Sequence, residues 1–266
     1  MTTAARTTES TDQQAGPVLP EEIVARYRSD GFVHVPGVLR PEEVERYRNA
    51  ARSVFDREQG LHPDNPMFKQ VVNIWRRDEV LRELTLHRGL AELATRLAGV
   101  PLRIWHDQLL IKPPHNGTPT EFHQDAPYWP HADSRHSLSA WVALVDVPVE
   151  RGCMTFIPGQ QERRDIRATD ISDAHDLFDA APDLAYQPRV TIPLRAGDVT
   201  FHNGYTPHTA NANDTDEFRL AHVNIYVDRE LHYNGRRHVC TDPLGLEPGD
   251  PLPDDSFPPV PRDRGA

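Results

Sequence analysis

Thr118-Pro119-Thr120-Glu121-Phe122-His123-Gln124-Asp125-Ala126-Pro127 is the stretch on which the reading of this chain turns. Two prolines bracket a short segment that can end a β-strand. Side chains on a strand alternate between faces, so His123 and Asp125 would point the same way. A further imidazole, His208, and then Arg219 follow downstream. Two imidazoles and one carboxylate hold Fe(II) on one side and leave its other coordination positions open. The guanidinium of Arg219 offers a planar, charged fork suited to a carboxylate. The triplet also occurs as His131-Ala132-Asp133, but that copy follows Trp129-Pro130 and precedes Ser134-Arg135, which is turn chemistry. The strand-borne pair is therefore the candidate, and His202 is a competitor to His208 that reads better as a supporting or structural group.

Around this stretch the chain reads as β. Segments 102–111, 137–147, 154–157, 190–194, 198–201 and 218–227 are short runs rich in Val, Ile, Leu and aromatics, punctuated by Gly and Pro. That pattern favours a sandwich or barrel over alternating βαβ units. Before residue 100 the period changes. Pro20 and Pro41 open helical patterns, two more run through 80–86 and 90–97, and Phe32 to Val35 reads as a strand between the first two. These helices are expected to buttress a sheet. Segment 162–185 is a polar excursion with room for one helical turn. Residues 1–18 carry no apolar periodicity and are expected to be a disordered tail, 19–240 a single domain, and 241–266 a Pro-rich tail unable to extend a sheet.

Composition excludes several classes. Twenty-nine Lys and Arg against 40 Asp and Glu give a formal net charge of −11, which argues against nucleic acid and against a polybasic membrane anchor. No run approaches the about 20 apolar residues of a membrane span. The first residues lack the apolar core of a signal peptide. Cys153 and Cys240 are too few for a disulfide framework, so a reducing cytoplasm is expected.

The blocks Ile111-Lys112-Pro113-Pro114, Phe122-His123-Gln124-Asp125, Ala140-Trp141-Val142-Ala143-Leu144, Arg151-Gly152-Cys153-Met154-Thr155-Phe156-Ile157-Pro158-Gly159 and Ala196-Gly197-Asp198-Val199-Thr200-Phe201-His202 occur in that order, closed by His208 through Arg219. In this ordered set the chain resembles the phytanoyl-CoA dioxygenase family over roughly residues 20–235. The resemblance implies a double-stranded β-helix, a cupin-like jelly roll with N-terminal helices packed on one side, and a requirement for Fe(II), 2-oxoglutarate and O2. It implies that His123, Asp125 and His208 are metal ligands and catalytic residues. Arg219 would pair with the remote carboxylate of 2-oxoglutarate, with Gln108, Trp141 and Asn213 at other cosubstrate positions. Ala210 stands where the family often has Ser, and Asn73 lies near a further cosubstrate contact.

Tyr128 and Trp129 are candidates for substrate contact or for rim packing. His106, His115, His131, His136, His222, His232 and His238 read as surface or core histidines. The carboxylate of Asp125 fills the place that is open to chloride in related iron halogenases, so oxidation of a small molecule is expected: hydroxylation, desaturation or ring chemistry, with succinate and CO2 as co-products. The other readings are an acyl-CoA 2-hydroxylase, a non-oxidative cupin-like metal enzyme and a binding module.

Overall fold

The computed structural model describes residues 19–58, 68–131 and 134–260. The expected disordered tail, 1–18, lies outside the described residues. The chain opens with helix α1 (Glu21–Asp30), strand β1 (Phe32–Val35) and helix α2 (Pro41–Glu58). Gly31 ends α1 with φ +81°, its N–H donating to Tyr27 O. A Cβ there would strike the Thr206 hydroxyl, which donates to Gly31 O at 2.8 Å, so only glycine permits this approach. Strand β2 (Lys69–Val72) and helices α3 (Glu79–Thr85) and α4 (Arg88–Ala98) follow. Asp78 caps α3 by accepting from the N–H groups of Val80 and Leu81. Helix α4 buries Leu90, Leu93 and Leu97, the helical spacing that marked it in the sequence.

The strands that follow are β3 (Leu102–Lys112), β4 (Thr120–His123), β5 (Leu138–Ala143), β6 (Met154–Phe156), β7 (Val190–Ile192), β8 (Val199–Asn203), β9 (His208–Ala210) and β10 (Arg219–Asp228), with a short helix α5 (Asp176–Ala180) between β6 and β7. They form two antiparallel sheets, ordered β1-β8-β5-β10-β3-β2 and β4-β9-β6-β7. This is the jelly roll expected, with helices on the outer face of the larger sheet. Both faces of β10 are buried, so its apolar residues fall on both faces and its Arg219, His222 and Asn224 are buried with them. One face meets the helices: the Asn224 side-chain amide donates to the carbonyls of Leu84 and Thr85, while Asp107 accepts from Thr85 Oγ1 and pairs with His222. The other face, with Arg219, Val223 and Ile225, lines the interior cavity.

Two elements depart from expectation. Strand β2 carries only Lys69-Gln70-Val71-Val72, too short and too polar to announce itself, and is made by its register against β3. The Pro-rich tail does pair with the sheet. Arg103 and Pro259 form an antiparallel bridge in which Ile104 N–H donates to Pro258 O (2.9 Å) and Val260 N–H to Leu102 O (3.0 Å). Pro259 lacks an N–H, but this register asks only for the donor of the next residue and the acceptor of the one before. Phe257 then stacks on Trp105 (4.8 Å, 12°), and Leu252 and Val260 join the main core. The excursion 162–185 holds α5 and a 3-10 turn, packing Ile166, Leu177 and Leu184 around Phe122. Among the described residues no helix is long and apolar enough to cross a membrane.

Candidate metal centre and cosubstrate pocket

His123 ends β4, His208 begins β9, and the two are paired residues of the same ladder. Their ring centroids are 4.4 Å apart. His123 Nδ1 lies 2.7 Å from Glu121 O, and His208 Nδ1 lies 3.0 Å from Thr206 O. A carbonyl can only accept, so each Nδ1 carries the proton and each Nε2 is left as a lone pair. Asp125 closes the group: its Oδ1 is 3.5 Å from His123 Nε2 and 4.0 Å from His208 Nε2. The three residues form a cluster able to hold one metal ion. Burial, together with the neighbouring His123 and His202, pushes the His208 pKa down to about 3, so its ring is neutral at pH 7. Burial raises the Asp125 carboxyl, but the imidazoles of His208, His123 and His202 outweigh it and keep the group anionic.

The second oxygen of Asp125 is held from the opposite sheet. Ser139 Oγ donates to Oδ2 at 3.2 Å, and His202 Nε2 stands 3.4 Å from it. Ser139 on β5 and His202 on β8 are direct cross-strand partners. Ring contact with both His208 and Phe156 fixes the His202 plane. His202 is thus placed beside the carboxylate as a supporting group.

Arg219 begins β10 and is only 1% exposed. Its Nε and Nη1 have no hydrogen-bond partner, and its guanidinium lies 5.5 Å from the Trp141 ring centroid. Burial lowers its pKa to about 9, which leaves it charged at neutral pH. A buried cation without a counterion is costly, by about 3–5 kcal/mol where a partner has been removed, so this one awaits an anion. Arg219, Trp141, Gln108, His123, Asp125 and His208 line a single cavity of about 310 Å³. Gln108 accepts a hydrogen bond from the amide of Gln70 on β2, a lining residue the sequence did not disclose.

The structure does not bring Asn213 into this cavity. Its amide nitrogen donates to the carbonyls of Lys112, Pro113 and Glu217, and its oxygen accepts from Thr215. A polar residue close to the motif in sequence serves here to shape the turn that launches β10. Asn73 is likewise spent elsewhere, donating to Cys240 Sγ and accepting from Trp75 Nε1. Lys112 sends Nζ to the carbonyls of Thr118, Ala210 and Asn211, tying the end of β3 to that of β9. Tyr128 and Trp129 both line the cavity and both pack: Tyr128 donates its hydroxyl to Thr169 O, and Trp129 lies against His131. His131 is buried between Trp105 and Trp129, and Ala132 and Asp133 lie outside the described residues. His106 and His238, read from sequence as surface or core residues, also line the cavity.

The family model for phytanoyl-CoA dioxygenase matches residues 27–221. The chain belongs to the phytanoyl-CoA dioxygenase family. Among curated relatives, the human peroxisomal phytanoyl-CoA dioxygenase is 23% identical, over 78% of this chain and 68% of its own length. Two solved structures are more similar. SnoK, described as a non-heme alpha-ketoglutarate-dependent carbocyclase of nogalamycin biosynthesis, is 40% identical over 91% of this chain and 97% of its own, with a TM-score of 0.83. SnoN, described as a non-heme alpha-ketoglutarate-dependent epimerase of the same biosynthesis, is 39% identical over 92% and 97%, with a TM-score of 0.80. SnoN has also been solved with Fe3+, alpha-ketoglutarate and nogalamycin RO. The orphaned guanidinium and the two-imidazole, one-carboxylate donor set of this family member fit a divalent iron and a dicarboxylate in one cavity.

Proposed function

We propose that this phytanoyl-CoA dioxygenase family member is an Fe(II)- and 2-oxoglutarate-dependent oxygenase acting on a free, uncharged small molecule of secondary-metabolite type. The observation that carries the reading is the unpaired, buried Arg219 sharing a cavity with His123, Asp125 and His208. His123, Asp125 and His208 would hold the iron. Arg219 would take the remote carboxylate of 2-oxoglutarate through its paired N–H groups, with Trp141 and Gln108 beside it. Bound iron, with 2-oxoglutarate and O2, supplies the oxidant for a substrate C–H bond and yields succinate and CO2. The protein's own part is to keep His208 neutral and Asp125 anionic, to turn the Nε2 atoms of His123 and His208 inward, and to exclude water with Trp129, Trp141, Met154, Val223 and Ile225. Tyr128 and Trp129 stand on the substrate side.

Charge supports a free substrate over a CoA thioester. Among the described residues lining the cavity, Asp125 and Arg219 are the only Asp, Glu, Lys or Arg side chains, and on this reading both are committed to metal and cosubstrate. Of the four arginines that could form a patch for CoA phosphates, Arg135 is exposed and the other three are already engaged: Arg163 with Asp165 and Asp183, Arg167 with Asp176, and Arg164 over the Tyr205 ring with Glu162 at 3.9 Å. A net charge of −11 further opposes polyanions, nucleic acid included. Free, buried Cys153 and Cys240 support a reducing, cytoplasmic setting. The names carbocyclase and epimerase extend the outcomes to assay from hydroxylation to ring closure and inversion of a centre.

Anaerobic addition of Fe(II) and 2-oxoglutarate should give a weak visible charge-transfer band, absent in His123→Ala. Aerobic turnover should release succinate with free substrates. Retention of the band in His123→Ala with its loss in His131→Ala would overturn the ligand assignment. Turnover confined to CoA thioesters, and lost on reversing the Arg163, Arg164 and Arg167 charges, would restore the acyl-CoA reading.

A further inference from the structure

The cavity has a second polar end. Pocket-facing residues run along β10 from Arg219 to Ile225, about 20 Å of extended strand. His106 on β3 sits opposite Ile225, and His238 stacks beside it with ring centroids 5.8 Å apart and planes at 29°. Around them are Trp105, Trp129, Val72 and Val239, and the Asp125 charge reaches His106. The backbone sets the two tautomers oppositely. His106 Nδ1 faces the carbonyl of Asp107 at 3.2 Å and must donate, which leaves Nε2 as an acceptor. His238 Nδ1 accepts the N–H of Cys240 at 3.2 Å, which leaves Nε2 carrying the proton as a donor. Burial lowers both pKa values, that of His238 to about 4, so neither ring becomes a double donor at neutral pH.

We propose that His106 and His238 form a hydroxyl-reading site, in which one substrate O–H donates to His106 Nε2 while its oxygen accepts from His238 Nε2. A nitrogen of each ring lies within 4.8 Å of one on the other. Two hydrogen bonds of about 2.8 Å meeting at one hydroxyl oxygen span about 4.6 Å, which is the separation this reading asks of the two Nε2 atoms. A ketone or ether can accept but not donate, and an ammonium can donate but not accept, so each leaves one imidazole unmatched. With apolar and aromatic walls on either side, the ligand class is an uncharged aromatic or polycyclic alcohol or phenol. The inference deepens the proposed oxygenase reading by naming what its substrate presents. Cys240 Sγ lies within the same 4.8 Å, so the trio also has the composition of a soft-metal site. Against that use, the Cys240 N–H occupies His238 Nδ1, and Asn73 Nδ2 donates to the sulfur at 3.4 Å.

The test uses the full chain loaded with Fe(II) and 2-oxoglutarate under argon, with 1-naphthol and 1-methoxynaphthalene as probes sharing one ring system. 1-Naphthol should bind at least about tenfold tighter, the worth of one or two neutral hydrogen bonds. His238→Phe and His106→Phe should each erase that preference, and His238→Gln, which keeps an N–H, should retain part of it. Nitrogen-15 spectra of the wild type should show His106 protonated at Nδ1 and His238 at Nε2, a readout that needs no variant. Equal binding of the two probes, a shared tautomer, or a sulfur-to-cobalt charge-transfer band on adding Co(II) would each overturn the proposal. His123→Ala separates the two readings, since it should lose the iron band and succinate yet keep the naphthol preference.

Discussion

Asp125 turns Oδ1 toward the two candidate ligand imidazoles and leaves Oδ2 to Ser139 and His202. With one oxygen engaged from the far sheet, the carboxylate would offer a bound metal a single oxygen, which would keep coordination positions free for cosubstrate and O2. Groups that orient a ligand typically matter by about 10–100-fold in metal affinity. His202→Ala should therefore weaken Fe(II) binding by at least about tenfold, with His202→Asn recovering part, read by titrating the anaerobic visible band. Wild-type affinity in the Ala variant would reduce His202 to packing. Arg219→Ala should raise the 2-oxoglutarate requirement tens- to thousands-fold, about 2–5 kcal/mol, while Fe(II) binding changes little. Arg219→Lys should restore only part, because an ammonium lacks the fork; an unchanged cosubstrate dependence in the Ala variant would remove Arg219 from this role. His123, Asp125, His208 and Arg219 could be picked out as one candidate set because their spacing is itself chemical information, and the structure gathers them in one cavity. Ser139, His202 and Gln70 could not, because each gains its meaning from the residue across the ladder. Asn213 misled for the converse reason: nearness in sequence to a motif says nothing about which way a turn residue points.

At the scale of elements, the long strands β3 and β10 and helix α4 were legible because burial on both faces or on one stripe writes its period into the sequence. Strand β2 and the tail bridge were not, being short pieces fixed by partners far along the chain. The tail tests how much such a piece contributes. Phe257 is 1% exposed and stacked on Trp105, the neighbour of His106 and His238. Phe257→Ala should cost about 3–5 kcal/mol of stability in denaturant titration. It should also loosen the His106–His238 end of the cavity while leaving the iron band in place. A loss below about 1 kcal/mol would mean that the tail is dispensable to the core.

The molecule as a whole carries buried neutral histidines, and these set its acid response. Burial takes His131 from 6.5 down to about 3, and both its ring nitrogens lack partners. Below pH 6.5 the unfolded chain accepts a proton that the folded chain refuses until about pH 3, so stability falls steadily as pH drops through that window. For this one residue the loss reaches about 2 kcal/mol by pH 5, at about 1.4 kcal/mol per pH unit. His131→Phe, which keeps the ring between Trp105 and Trp129, should flatten the decline between pH 7.5 and 5; an unchanged slope would place the titration elsewhere. The single cavity has one more consequence. Arg219 is 1% exposed, whereas Val239, 65% exposed, marks the end where His106 and His238 sit. On the proposed reading, entry past Val239 would carry 2-oxoglutarate through the place where the substrate rests before it meets Arg219. Loading would then be sequential, with 2-oxoglutarate entering first and succinate leaving last, and an excess of substrate should throttle its own turnover whenever 2-oxoglutarate is scarce.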